Sequence, residues 1–204
     1  MGVGVIDRLV NRKIFLLAFA ISGFTALVYE IVWIRYLQLI FGSTIYAVST
    51  LLSTFMAGYV LGAFLFRNLA DNTKKPSLVF SILQCAIGFY GLLIIPMFKL
   101  LPTLYISLLE VPGSQFLQFA LGFLVIIIPA TLFGATWPVM NKAYIKVKVG
   151  KDAGMLYSLN SIGAVLGSLT TGFLLIPSLG LMRTSITASI LNLDQPLKLT
   201  ENES

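Results

Sequence analysis

The chain has no histidine and one cysteine, Cys85. Without histidine it lacks the commonest general base and the commonest transition-metal ligand. A single cysteine cannot close a disulfide within the chain, and its place inside an apolar run suits packing. Charge is scarce as well: 11% of residues are charged, against about 25% in soluble domains. There is no nucleophile–base pair, no metal-ligand cluster, and no glycine fingerprint between a strand and a helix. The residues therefore point to no catalytic group, metal or cofactor on this chain.

What is present is apolar. The sequence is 57% hydrophobic, with a mean hydropathy of +0.92. A soluble fold of this length has no interior large enough for that surface, whereas a bilayer accepts it. Five runs are long enough to cross: about 14–34, 45–66, 77–97, 116–137 and 153–177. They must be helices, because lipid offers the backbone no hydrogen bonds and the period-two pattern of a barrel is missing. The basic flank before Ile14 is followed by an apolar run too long for a cleaved leader, so the segment reads as a retained anchor. With the N-terminus inside, ten Lys and Arg fall in inner segments and three in outer ones, with Lys198 in the tail. That bias predicts a cytoplasmic N-terminus in an inner, plasma-type membrane. The same short basic clusters argue against nucleic acid, whose platforms interleave aromatic and basic residues.

The sixth apolar run covers only 185–193. Nine residues reach about 14 Å, half of the hydrocarbon core. The expected architecture is thus an all-α polytopic helix bundle over 1–193 with a truncated sixth helix, then a polar tail over 194–204. The segment 98–115 is broken by Pro102 and Pro112 and predicts a short interfacial helix near 103–109.

Glu30 stands within the first run, where a carboxylate must be protonated, paired or turned toward a cavity. Arg35, five residues on, is poorly placed on the helix to pair with it. Tyr46, Lys99 and Arg183 belong to the same end and are partners to consider across helices. Two readings stay open. Glu30 is a structural acid held by a donor from another helix, or it meets a cationic ligand between aromatic walls supplied by Tyr29, Trp33 and Tyr46. Gly58 with Gly62, and Gly163 with Gly167, lie four apart on one helix face and predict close helix packing. Asn160, Ala164, Gly167 and Thr171 share a face of the fifth helix, so Asn160 either hydrogen-bonds a neighbouring helix or touches ligand. Pro129 predicts a kink, and Trp137 an interfacial helix end. The four lysines of 141–152 mark topology and suit anionic lipid.

Four stretches in order, "SGFTALVYEIVWIRYLQLIFGSTIYAVST", "FMAGYVLGAFLFRNLAD", "IPATLFGATWPVMNKAY" and "GMLYSLNSIGAVLGSLTTGFLLIPSLGLMRT", span residues 22–184. Together they resemble the N-terminal membrane domain of integral-membrane spermidine synthase-like proteins, a major-facilitator-like half fused to an aminopropyltransferase domain. Glu30 and Asn160 match that pattern. Arg67 and Asn68, Asn72 and Gln84 depart from it, which weakens any gating network around Asp71 and any proton-linked role for the third helix. The family's glycine-rich, acid-containing loop for decarboxylated S-adenosylmethionine does not occur here.

The resemblance implies a major-facilitator-like half without its enzyme, and a polyamine connection by association. In such transporters the second and fifth helices face the other half. The expected function is a non-catalytic membrane subunit or anchor that contacts lipid and packs against a second copy or another membrane subunit. The alternatives are half of a carrier for polyamine or another small cation, and the membrane part of a split aminopropyltransferase with a soluble partner chain.

Overall fold

The computed structural model describes residues 3–106, 114–145 and 149–200. They form α1 (Val3–Phe41), α2 (Thr44–Asn72), α3 (Pro76–Ile106), α4 (Ser114–Tyr144), α5 (Val149–Thr170) and α6 (Ile176–Thr200), with a π turn, Thr171–Leu175, between the last two. No strand occurs among the described residues. Five stretches are long and apolar enough to cross a membrane: Lys13–Phe41, Thr44–Asn72, Pro76–Thr103, Phe119–Tyr144 and Val149–Pro196. The protein is an integral membrane helix bundle.

The helices overrun the expected spans. The basic flank Arg8–Lys13 is already helical in α1. α4 continues through Pro129 and Pro138 to Tyr144 instead of stopping near Trp137. Proline is tolerated this way in membrane helices, where neighbouring groups satisfy the carbonyl it leaves free. α1 and α2 are separated by a tight turn at Gly42, whose φ of 66° suits glycine. Of the expected interfacial helix, residues 103–106 continue α3, while 107–109 lie outside the described residues, as do Lys146, Lys148 and 201–204.

Glycine contacts fix the helix directions. Gly58 meets Ala130 and Gly134 meets Tyr59, so α2 and α4 run parallel. Gly163 lies against Ala20 and Gly167 against Phe24, so α1 and α5 also run parallel. Past Gly180 the direction reverses: Ser189 bonds Tyr29 and Asn192 bonds Thr25, which makes that leg of α6 antiparallel to α1. Gly180 carries the reversal with φ 76° and ψ 171°, a conformation open to glycine. The long Val149–Pro196 stretch is therefore two legs that cross in opposite senses.

The sixth segment is thus longer than its hydropathy suggests. From Leu181 to Thr200 it is helical, and 20 residues reach about 30 Å, the thickness of a hydrocarbon core. Ser185, Ser189, Asn192 and Gln195 fall on one face and are buried against α1 and α3. The apolar Ile190 turns outward. This leg is polar inside and apolar outside, so averaging its hydropathy hides a span. Residues 194–200, expected as part of a polar tail, belong to that helix.

The packing has a further regularity. α2 packs on α4 and α5 on α1; α3 packs on α4 and α6 on α1; α3 and α6 pack on each other. Exchanging α1–α3 for α4–α6 leaves these pairings unchanged. The equivalent helices run in opposite directions, and the two glycine pairs occupy equivalent places, on α2 against α4 and on α5 against α1.

Candidate functional site

α1 sits at the centre, in contact with every other helix. Its side chains separate two polar regions. One lies against α3 and α6. Thr25 Oγ1 donates to Asn192 Oδ1 at 2.7 Å, and Gln195 Nε2 donates to the same oxygen at 3.2 Å. Gln84 Nε2 donates to Gln195 Oε1 at 2.8 Å. Tyr29 and Ser189 share a hydroxyl–hydroxyl bond of 2.9 Å, and Ser185 Oγ donates to the Gly91 carbonyl at 3.3 Å. In hydrocarbon such interhelical bonds replace unsatisfied groups, and they stabilise by roughly 0.6 kcal/mol each. Their geometry ties α6 into the bundle.

The second region lies between α1, α2, α4 and α5. A cavity of about 30 Å³ is lined by Ser22, Gly23, Ala26, Tyr59, Thr136 and Asn160, among others. Gly23 is necessary there, because a Cβ at that position would strike the Asn160 carbonyl and amide oxygen. Glu30 is one turn beyond Ala26 on α1, and it is half-buried within electrostatic reach of Tyr59. Among the described residues no hydrogen bond or ion pair reaches its carboxylate. Arg35 donates instead to Gln38 at 3.2 Å, and Lys99 and Arg183 are exposed. The structure therefore supplies Glu30 with none of the cationic partners considered from the sequence.

The aromatic walls are arranged differently from expectation. Tyr29 and Trp33 are fully buried and stack on each other at 5.1 Å. Trp33 contacts Phe55 at 5.8 Å and Tyr29 contacts Phe133 at 6.1 Å, so both rings belong to the core between α1, α2 and α4. Tyr46 is exposed, and 13 residues of helix place it about 20 Å along α2 from Tyr59. Tyr59 is the aromatic residue that accompanies Glu30, and no spacing motif marks it in the sequence.

Asn160 and Ala164 both line the cavity, and Gly167 continues their face against Phe24. Thr171 follows at the start of the π turn, buried, with its hydroxyl unsatisfied. The glycines expected to pack helices all do so within this chain: Gly58 and Gly62 meet α4, and Gly163 and Gly167 meet α1. They therefore provide no opening for a second copy. At the basic end of the bundle an open groove of about 530 Å³ is lined by Lys13, Tyr144, Lys151 and Asp152.

The neutral oxygens that line the cavity suit a hydrogen-bond-donating ligand, and the Glu30 carboxylate lies one turn of α1 beyond the lining residue Ala26. Among the described residues no cluster of three metal-ligating side chains occurs. No family model, curated protein or solved structure matches this chain.

Proposed function

We propose that the chain is a non-catalytic membrane subunit, a six-helix major-facilitator-like half related to the membrane domain of spermidine synthase-like proteins, which packs against a second membrane body. The observation that carries this reading is the exchange-invariant pairing of α1–α3 with α4–α6 in opposite directions, the arrangement of inverted repeats within one half of such transporters. The exposed faces of α2 and α5, including Val60 and Val165, are the surfaces on which the second body sits. In this reading the N-terminus is cytoplasmic and the membrane is of the bacterial inner type, as the lysine and arginine bias indicates.

Cysteines at Val60 and Val165, introduced with Cys85→Ser, test it. Oxidation in native membranes is expected to give a crosslinked product, with a second copy or with a different subunit. A chain that stays uncrosslinked at both positions and single in native nanodiscs refutes the reading.

A second reading is favoured by Glu30. A carboxylate within a spanning helix, without a protein partner and beside a cavity, marks a ligand or ion path. On this reading the half belongs to a carrier of small cations. Uptake by proteoliposomes that is lost in Glu30→Gln supports it; equal uptake by wild type and variant removes Glu30 from the path.

A further inference from the structure

We propose that the open groove at the basic end of the bundle, between α1, α4 and α5, binds the phosphate of one anionic phospholipid. The inference needs only a bundle that sits in a membrane. It depends neither on a second body nor on Glu30.

The groove forms where three helix ends come together. Tyr144 closes α4, and Lys151 and Asp152 lie in the first turn of α5. Lys13 enters from α1, at the start of its apolar span. The register of Ala20 beside Gly163 brings the two lysines within about 8 Å of one level along the bundle. Flexible four-carbon stems close such a gap.

Charge comes next. Both lysines are exposed, and among the described residues neither has an ion pair or a hydrogen bond. Asp152 is 6% exposed and already has a partner. Two ammonium groups against one carboxylate leave one positive charge, which matches the single negative charge of a phosphodiester. Ser158, also exposed on the groove, adds a hydroxyl donor.

Size and polarity select a lipid over a free anion. About 530 Å³ falls in the range of sites for organic molecules and exceeds what one phosphate ion fills. On both flanking helices an apolar side chain follows the cation by one turn. Leu16 stands one turn past Lys13, and Met155 one turn past Lys151, each toward the hydrocarbon. A phospholipid has the same order, with phosphate outside and glycerol and first methylenes inside. A free phosphate leaves the apolar half of the groove uncovered. Basic pockets between membrane helices take anionic headgroups in this way.

The test titrates the full chain, purified in mild detergent, with dioleoyl phosphatidylglycerol. Native mass spectrometry counts the lipids bound. One phosphatidylglycerol is expected to bind more tightly than any phosphatidylcholine. Lys13→Gln and Lys151→Gln should each weaken it about fivefold, and the pair about 30-fold. Lys13→Arg with Lys151→Arg should retain it. Lys74→Gln with Lys75→Gln removes the same charge from the same end of the bundle, outside the groove, and should leave binding unchanged. Far-UV dichroism establishes that each variant is folded.

Equal binding of phosphatidylcholine overturns the proposal, as does a folded Lys13→Gln, Lys151→Gln variant that keeps its lipid. Equal weakening in the Lys74 and Lys75 pair makes the attraction diffuse and overturns the site. Displacement of the lipid by inorganic phosphate assigns the groove to a free anion and overturns the lipid. The absence of any tightly held phosphatidylglycerol overturns it too. None of these outcomes bears on the Val60 and Val165 crosslinks or on uptake through Glu30.

Discussion

Gly91 offers the sharpest test of how α6 is held. It faces the junction of α1, α3 and α6, and a Cβ placed there would meet the Tyr29 hydroxyl, Ser189 Oγ at 2.6 Å and Tyr29 Cε1 at 2.7 Å. Gly91→Ala must push α3 away from that junction or break the Tyr29–Ser189 bond. Overpacking of this kind costs about 1–3 kcal/mol. Losing the bond alone costs roughly 0.6 kcal/mol, and at most about 1.7. Tyr29→Phe should therefore be the milder change. It also removes the atom nearest the new methyl group, so the double variant should be more stable than the sum of the single effects implies, with a coupling of about 0.5–3 kcal/mol. The rescue is partial, because Ser189 Oγ and Tyr29 Cε1 stay close.

Gly172 provides the reference. A Cβ there meets nothing within 4 Å, and alanine is favoured over glycine in a helix by up to about 1 kcal/mol. Gly172→Ala should be neutral or stabilising. Reversible unfolding in bicelles gives the four free energies of the Gly91–Tyr29 cycle and the reference. If Gly91→Ala proves as mild as Gly172→Ala, or if Tyr29→Phe adds its full cost to that of Gly91→Ala, the α1–α3–α6 packing described here is wrong.

Three other outcomes follow from the same packing. A reporter fused after Ser204 should lie on the same side of the membrane as one at the N-terminus, since a crossing by α6 would bring the total to six; opposite sides would return the sixth segment to a half-span. Gln84→Leu should cost about 1–3 kcal/mol by leaving Gln195 Oε1 without its donor, and Gln84→Leu with Gln195→Leu should cost less than the sum, as unfolding measurements of the set would record. Gly62→Leu should separate α2 from α4, because a Cβ there collides with the Thr131 carbonyl; the unfolding free energy in bicelles should fall by at least about 1–3 kcal/mol relative to the parent chain.

The number of helices was only partly legible from hydropathy. α1 to α5 bury apolar faces or turn them to lipid, and either role raises mean hydropathy, so their spans stand out. α6 inverts the relation. Ser185, Ser189, Asn192 and Gln195 recur at intervals of four, three and three, which is one face of a helix, and they are buried by their partners on α1 and α3. Period carried the signal where amount did not. The candidate site was legible in one dimension only. Glu30 and Asn160 were visible as polar residues in oily runs, but which side chains meet them depends on the directions and registers of four helices. Tyr29 and Trp33, neighbours of Glu30 in sequence, turn into the core, while Tyr59 arrives from α2 because Gly58 and Gly62 let that helix close against α4.

The glycine pairs show why a motif can be read for its physics and still mislead about its partner. Two glycines four apart state that another backbone approaches; they do not state whose. In a bundle of six helices the nearest backbone is usually the chain's own, since neighbours joined by the chain are already concentrated in the same bilayer. Once α2 has closed on α4 and α5 on α1, the small-residue faces are occupied, and what they present outward is apolar: Met56, Val60 and Phe64 on α2, Val165 and Leu169 on α5, and Phe173 in the π turn that follows. Such faces fit lipid as readily as protein. On the proposed two-body reading, recognition of the second body must therefore come from the shape of these faces.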